Sequence, residues 1–287
     1  GQPDPPSGPD TVAGRGAVDM KGGLAVMLLL AEQASAGGCE ASFIFYDREE
    51  LGSNQSGLKA LFAEHAGLAG ADFAVVLEPT GAVLEPGCQG NLRVELEFRG
   101  VTAHTARPWR GSNAIHQAAP AIARLAAFTP EPQVVGGLTF RQAFCITGIS
   151  GGRQGNMVPD ECTVQVNYRH APSVSIEDAT QVVTALAPEA AAARVTLASP
   201  PAVPRLDHPL TRLLREEHQL AVAPKLGWTD VARFSEHGIA AVNFGPGESE
   251  LAHGPAEVVS RAELEHCRDV LASLLVRAPA VMTASRD

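Results

Sequence analysis

No stretch of eighteen or more consecutive apolar residues occurs, so nothing in the sequence has the length to span a bilayer as a helix. The longest candidate, Leu24 to Ala31, is short and follows Asp19 and Lys21, which reads as a buried helix. No basic stripe is present and the net charge is −10, which argues against a nucleic-acid partner. The five cysteines are odd in number and scattered without a C-x-x-C pair, so neither a disulfide framework nor a thiolate zinc site is indicated. A reducing cytoplasm is the simplest setting. Residues 1–6 lack the basic and apolar regions of a signal peptide, and the first residue is not Met. Internal repeats are absent.

The remainder is ordinary for a soluble globular chain: 287 residues, 45% hydrophobic and 19% charged, enough for two domains. Good helix formers run from Gly22 to Ala36 and stop at Gly37-Gly38. Ala41 to Tyr46 reads as a buried strand, Ser56 to His65 as a helix, and Asp72 to Leu77 as a second buried strand. Such alternation argues for an α/β layer with a mostly parallel sheet. The texture then changes. Asn91 to Arg99 alternates apolar and charged residues, the pattern of a strand with one wet face. A helix near 112–127, strands near 142–149 and 163–168, a helix near 176–186 and a strand near 193–197 complete a β-α-β-β-α-β order, the ferredoxin-like arrangement. After Pro-rich 199–204 the chain returns to helix, a strand at Ala240 to Phe244 and a helix at Ser260 to Arg277. The expected division is 1–90 and 201–287 for an α/β domain, with 91–200 inserted as an α+β domain.

Four polar clusters sit just past apolar strands or in loops. Asp19 is ringed by glycines in Gly14 to Gly23, which suits close backbone approach; an N-cap for the next helix is the competing reading. Glu49 and Glu50 are adjacent carboxylates that repel unless a cation or proton resolves them; a solvated acidic turn is the alternative. One of them could hold a metal while its neighbour serves as general base. Glu78 ends a buried strand, where open α/β sheets place their sites, although strand ends also carry acids by chance. His253 lies in a Gly/Pro loop after a strand and reads as a metal ligand or a plain surface histidine.

In this order and spacing the clusters resemble the co-catalytic zinc family that includes acetylornithine deacetylase, aminoacylase, glutamate carboxypeptidase and the desuccinylases. The resemblance covers essentially the whole chain. It implies a zinc-exopeptidase-like α/β/α catalytic domain carrying a ferredoxin-like lid and dimerisation domain, and hence a homodimer through residues 91–200. It further implies two zinc ions, or cobalt in their place. Asp19 would bridge them, Glu50 and His253 would hold one, Glu78 the other, and Glu49 would be the general base. The segment Gly100 to Pro108 matches the family's lid motif, and its His104 would polarise the scissile carbonyl across the dimer. Asn156 and Arg169 match substrate-anchoring segments, while Thr229 and Arg233 match a loop lining the pocket. A surface role for Arg169 stays open beside bidentate carboxylate binding. A cis peptide is implied after the bridging aspartate, at Asp19–Met20.

Glu85 to Arg93, His104 to Trp109 and Gly227 to Asp230 are worded most like the actinobacterial desuccinylase branch. That branch cleaves N-succinyl-LL-2,6-diaminopimelate to succinate and LL-2,6-diaminopimelate. Gln89 stands where family members often carry a basic residue. A related N-acyl-amino-acid deacylase or dipeptidase, and a non-catalytic dimeric homologue, are the competing functions. The family's earlier His-x-Asp motif is not found, since no histidine precedes His65. Aligned on Asp19, Gly1 falls a few residues after its place. The resulting expectation is an N-terminally truncated chain that binds zinc poorly at Glu78 and is inactive or weak.

Overall fold

The computed structural model describes residues 8–33, 39–49 and 55–285. In chain order the elements are β1 (Thr11–Ala13), α1 (Gly22–Gln33), α2 (Gly57–Glu64), β2 (Phe73–Val76), β3 (Glu85–Pro86), β4 (Gly90–Arg99) and α3 (Ala114–Ala127). They continue with β5 (Gln133–Val135), β6 (Leu138–Phe140), β7 (Ala143–Gly151), β8 (Glu161–His170), α4 (Ile176–Ala185) and β9 (Ala192–Ser199). The last are α5 (Pro209–Glu217), α6 (Val231–Glu236), β10 (Ala240–Asn243), β11 (Val258–Ser260) and α7 (Arg261–Ala284). They fall into two compact units. One comprises Gly1–Cys88, Ala202–Lys225 and Thr229–Asp287, the other Gln89–Pro201 with Leu226–Trp228. The sequence pattern leaves Leu226–Trp228 with residues 201–287. They group with the second unit, where the Trp228 indole donates to the Pro200 carbonyl at 2.9 Å.

In the first unit β10 lies between β2, to which it is parallel, and β3, to which it is antiparallel. Strand side chains alternate between faces, and β2 uses both. Phe73 and Val75 join one apolar cluster with Val26 and Leu30 of α1, Leu210 and Leu214 of α5, and Val270, Leu271 and Leu274 of α7. Ala74 joins another with Leu58 and Phe62 of α2 and Phe234 of α6. Helices therefore cover both faces of the sheet, the α/β/α layering expected. α1 is described as far as Gln33, and the expected extension to Ala36 lies outside the described residues. Ala41 to Tyr46 is not the ladder strand that its apolar run predicts: among the described residues it pairs with no strand. Its side chains still insert on alternate sides, Phe43 into the first cluster, Ile44 and Tyr46 into the second. Apolar patterning fixes which side chains are buried, whereas a ladder needs a neighbouring backbone.

The second unit runs β4-α3-β5-β6-β7-β8-α4-β9, with a four-stranded antiparallel sheet arranged β7-β8-β4-β9; the β5–β6 hairpin between α3 and β7 is an addition to the expected β-α-β-β-α-β order. Leu92, Val94, Leu96 and Phe98 of β4 and Val164, Val166 and Tyr168 of β8 face Ala118, Ala121 and Leu125 of α3 and Ala179 and Val183 of α4. Each large side chain buried there contributes about 1.5–3 kcal/mol relative to exposure. Asn113 caps α3 by accepting from the Ile115 and His116 N–H groups, and Ser175 caps α4 by accepting from Asp178. No described helix is long and apolar enough to cross a membrane.

Candidate active site

Four segments of the first unit converge at the carboxyl end of β2. Two glycines record how closely. A Cβ on Gly23 of α1 would stand 2.6 Å from the Leu77 carbonyl oxygen, and one on Gly245 would stand 2.5 Å from that of Glu78. The loop after β10 and the start of α1 thus press onto Leu77–Glu78 with no room for a side chain. An alanine at 245 is expected to displace Glu78, lowering stability by about 1–3 kcal/mol. Thermal unfolding of Gly245→Ala checks this; an unchanged melting temperature would count against the contact.

Asp19 lies in the turn before α1, and the Asp19–Met20 peptide is cis, as the family resemblance implies. Antiparallel pairing of β1 with β11 brings this turn beside Glu257. The buried Glu257 carboxylate accepts from the Val18 N–H at 3.2 Å and the Asp19 N–H at 3.5 Å, and its carbonyl accepts from Gly14 N–H at 3.1 Å. Sequence reasoning missed Glu257. Its only signal was an acid just ahead of a three-residue strand.

His253 has a left-handed backbone (φ 59°), and its Nε2 lies 3.2 Å from Asp19 Oδ2. Tyr46, three residues before Glu49, donates its phenol to Asp230 Oδ2 at 2.6 Å. Burial, Asp230, and then the Glu49 and Glu78 carboxylates push the phenol's pKa well above its ordinary value. Asp230 is itself pushed up by burial, opposed by the Tyr46 hydrogen bond and by Arg233. The structure therefore joins Asp19 with His253, and sets Glu49 and Glu78 within electrostatic reach of one phenol. Glu50 lies outside the described residues. Among the described residues no group of three His, Cys, Asp or Glu side chains closes around one point.

The donors suit zinc in kind and in their one measured spacing. With Zn–N and Zn–O bonds of about 2.0–2.2 Å, two tetrahedral ligands lie roughly 3.4 Å apart. The Asp19–His253 separation of 3.2 Å agrees with that.

Thr229 and Arg233 are buried in the same unit. Arg233 lies 3.8 Å from Asp230 Oδ1 and 3.3 Å from Glu236 Oε2. In the second unit His104 is exposed, and its Nδ1 accepts from the Ala106 N–H at 3.0 Å. That bond makes Nε2 the protonated ring nitrogen, a donor. The neighbouring Thr105 N–H donates to the Asn156 carbonyl at 3.0 Å, so His104 and Asn156 share one loop cluster. Arg169 lies on β8 opposite Asn91 and Ala143, on the face away from α3 and α4. Gln89 is buried and donates to the Arg141 carbonyl at 3.0 Å.

A family model described as peptidase family M20/M25/M40 matches residues 3–277. The chain belongs to this family. Among family relatives, it is 39% identical over 263 residues to a putative succinyl-diaminopimelate desuccinylase of Mycobacterium tuberculosis, covering 91% of this chain and 74% of that protein. It is 36% identical over 269 residues to the succinyl-diaminopimelate desuccinylase of Corynebacterium glutamicum, covering 91% and 72%. The fold is similar to that of aminopeptidase PepT from Bacillus cereus, with a TM-score of 0.71, 22% identity, and 95% and 76% of the two chains covered. The M20 family is a family of hydrolases, and the segments that carry Asp19, Glu78 and His253 fall inside the matched range.

Proposed function

We propose that the protein hydrolyses the amide bond of N-succinyl-LL-2,6-diaminopimelate with the help of two zinc ions. The observation that carries the reading is the Asp19–His253 pair, 3.2 Å apart beside the end of β2, in a chain similar to two desuccinylases. Asp19 would bridge the metals, Glu50 and His253 would hold one, and Glu78 the other. The bound pair supplies Lewis acidity and a readily ionised water. Glu49 accepts a proton from the attacking water and passes it to the departing amine nitrogen. Water's oxygen joins the succinyl carbon as the C–N bond breaks, releasing succinate and the free amine. His104 donates its Nε2–H to the carbonyl oxygen as negative charge gathers there. Asn156 and Arg169 anchor the substrate, the guanidinium pairing with a carboxylate, and Thr229 and Arg233 shape the pocket wall.

We read residues 91–200 as a ferredoxin-like lid that also joins two copies in a homodimer. The β7-β8-β4-β9 strand arrangement, with α3 and α4 packed on one face, supports the ferredoxin-like part of that reading. The five free cysteines suit a reducing, cytoplasmic setting.

Amine release from N-succinyl-diaminopimelate, measured beside N-acetylornithine with zinc-supplemented protein, tests the proposal. Preferential cleavage of the succinyl substrate is expected. Faster cleavage of N-acetylornithine would transfer the protein to the related deacylases, and no cleavage of either would favour a non-catalytic homologue.

A further inference from the structure

We propose that Tyr46 and Asp230 form a clamp that positions the Glu49 carboxylate, making Tyr46 a positioning residue for the reaction; this rests on the hydrolase reading above. The segment that delivers Glu49 has no strand partner among the described residues, so a sheet ladder does not fix where it ends. Its backbone is held where the Gly57 N–H of α2 donates to the Asp47 carbonyl at 3.0 Å. Phe43 and Ile44 sink into opposite apolar clusters and fix the depth of the chain. Apolar contact is non-directional and does not orient the turn that carries Glu49. The Tyr46 phenol supplies the directional contact, 2.6 Å from Asp230 Oδ2.

Asp230 is a firm anchor. It is 1% exposed, and its backbone carbonyl accepts from the Arg233 N–H at 2.9 Å at the start of α6. A carboxylate so buried is costly unless hydrogen-bonded, so the phenol and the carboxylate hold one another in place. Burial together with the Asp230, Glu49 and Glu78 carboxylates raises the phenol's pKa, which keeps it a donor at any physiological pH. The clamp also explains why the tyrosine just ahead of Asp47 and Glu49 turns its hydroxyl to a buried carboxylate instead of to solvent.

Tyr46→Phe removes one oxygen and leaves the ring packing intact. We expect kcat to fall about 10–100-fold, the effect of misplacing a reacting group by an ångström or less. KM should stay within about threefold, because Tyr46 would touch no substrate. Amide hydrogen exchange over residues 41–49 should quicken in the same variant, a readout independent of activity. Asp230→Asn keeps an acceptor oxygen and should lose less activity than Asp230→Ala. The Tyr46→Phe/Asp230→Ala double variant should be no worse than Asp230→Ala alone. A Tyr46→Phe protein with wild-type kcat and unchanged exchange would overturn the clamp, as would fully additive losses in the double variant. Should the wild-type protein hydrolyse no N-acyl substrate, the hydrolase reading fails while the exchange comparison still decides whether the clamp exists.

Discussion

Replacing Glu49 by glutamine should reduce kcat by about 10³-fold or more while leaving zinc content unchanged. The exchange is nearly isosteric, so packing around the turn is preserved and the group lost is the proton acceptor. Removing a general acid–base residue costs typically 10²–10⁴-fold. The upper part of that range applies because Glu49 is asked both to take the proton from water and to return it to the amine. A metal ligand would behave otherwise, since its loss lowers zinc retention and activity together. Steady-state amine release with parallel metal analysis separates the two. Activity within tenfold of wild type would remove Glu49 from the role, and a parallel loss of zinc would make it a ligand. The comparison also bears on Tyr46, whose variant should show the same signature at a smaller amplitude.

Much of this architecture was legible in the sequence because its signals are local and redundant. The alternation of Leu92, Val94, Leu96 and Phe98 predicted β4 and its wet opposite face. Asn113 and Ser175 stand just ahead of their helices as caps. Counting elements then gave the two helices and the four strands of the large sheet, without the β5–β6 hairpin. Failures came where the deciding partner was remote. Ala41 to Tyr46 carries a strand's apolar pattern, yet ladder formation depends on a neighbour that the segment itself does not specify. β1 and β11, three residues each, have too little periodicity to be read, although their pairing is what sets Glu257 beneath Asp19. The β5–β6 hairpin has a readable signal, Gly136-Gly137 between two short apolar runs, that the expected element order omits.

Site residues divide along the same line. Asp19, Glu78 and His253 announce themselves by glycine-rich or strand-end settings, and the Asp19–His253 contact spans 234 positions that no local pattern encodes. Tyr46 and Asp230 gave no such notice. A tyrosine at the end of an apolar run reads as core, and only the fold shows that its oxygen meets a buried carboxylate.

Zinc titration should find one ion held at least about 100-fold more tightly than a second. The proposed donors are unequally shared. Asp19, Glu50 and His253 offer the first ion two carboxylates and an imidazole, while Asp19 and Glu78 offer the second only carboxylates. Zinc sites of hydrolases draw on imidazole beside carboxylate, so the position served by carboxylates alone is the weaker of the two. Even a lost supporting hydrogen bond typically costs 10–100-fold in affinity, and the difference an imidazole ligand makes is no smaller. His253→Ala then removes the only imidazole from the set and should release the tight ion, lowering its affinity by about 100-fold or more. Gly245→Ala, which displaces Glu78, should act on the weak ion and spare the tight one. Metal content after dialysis, followed by competition with a chromogenic chelator, measures all three proteins on one scale. Two zinc ions retained equally by the wild type would overturn the unequal sharing, and a His253→Ala protein that keeps its tight ion would remove His253 from the ligand set.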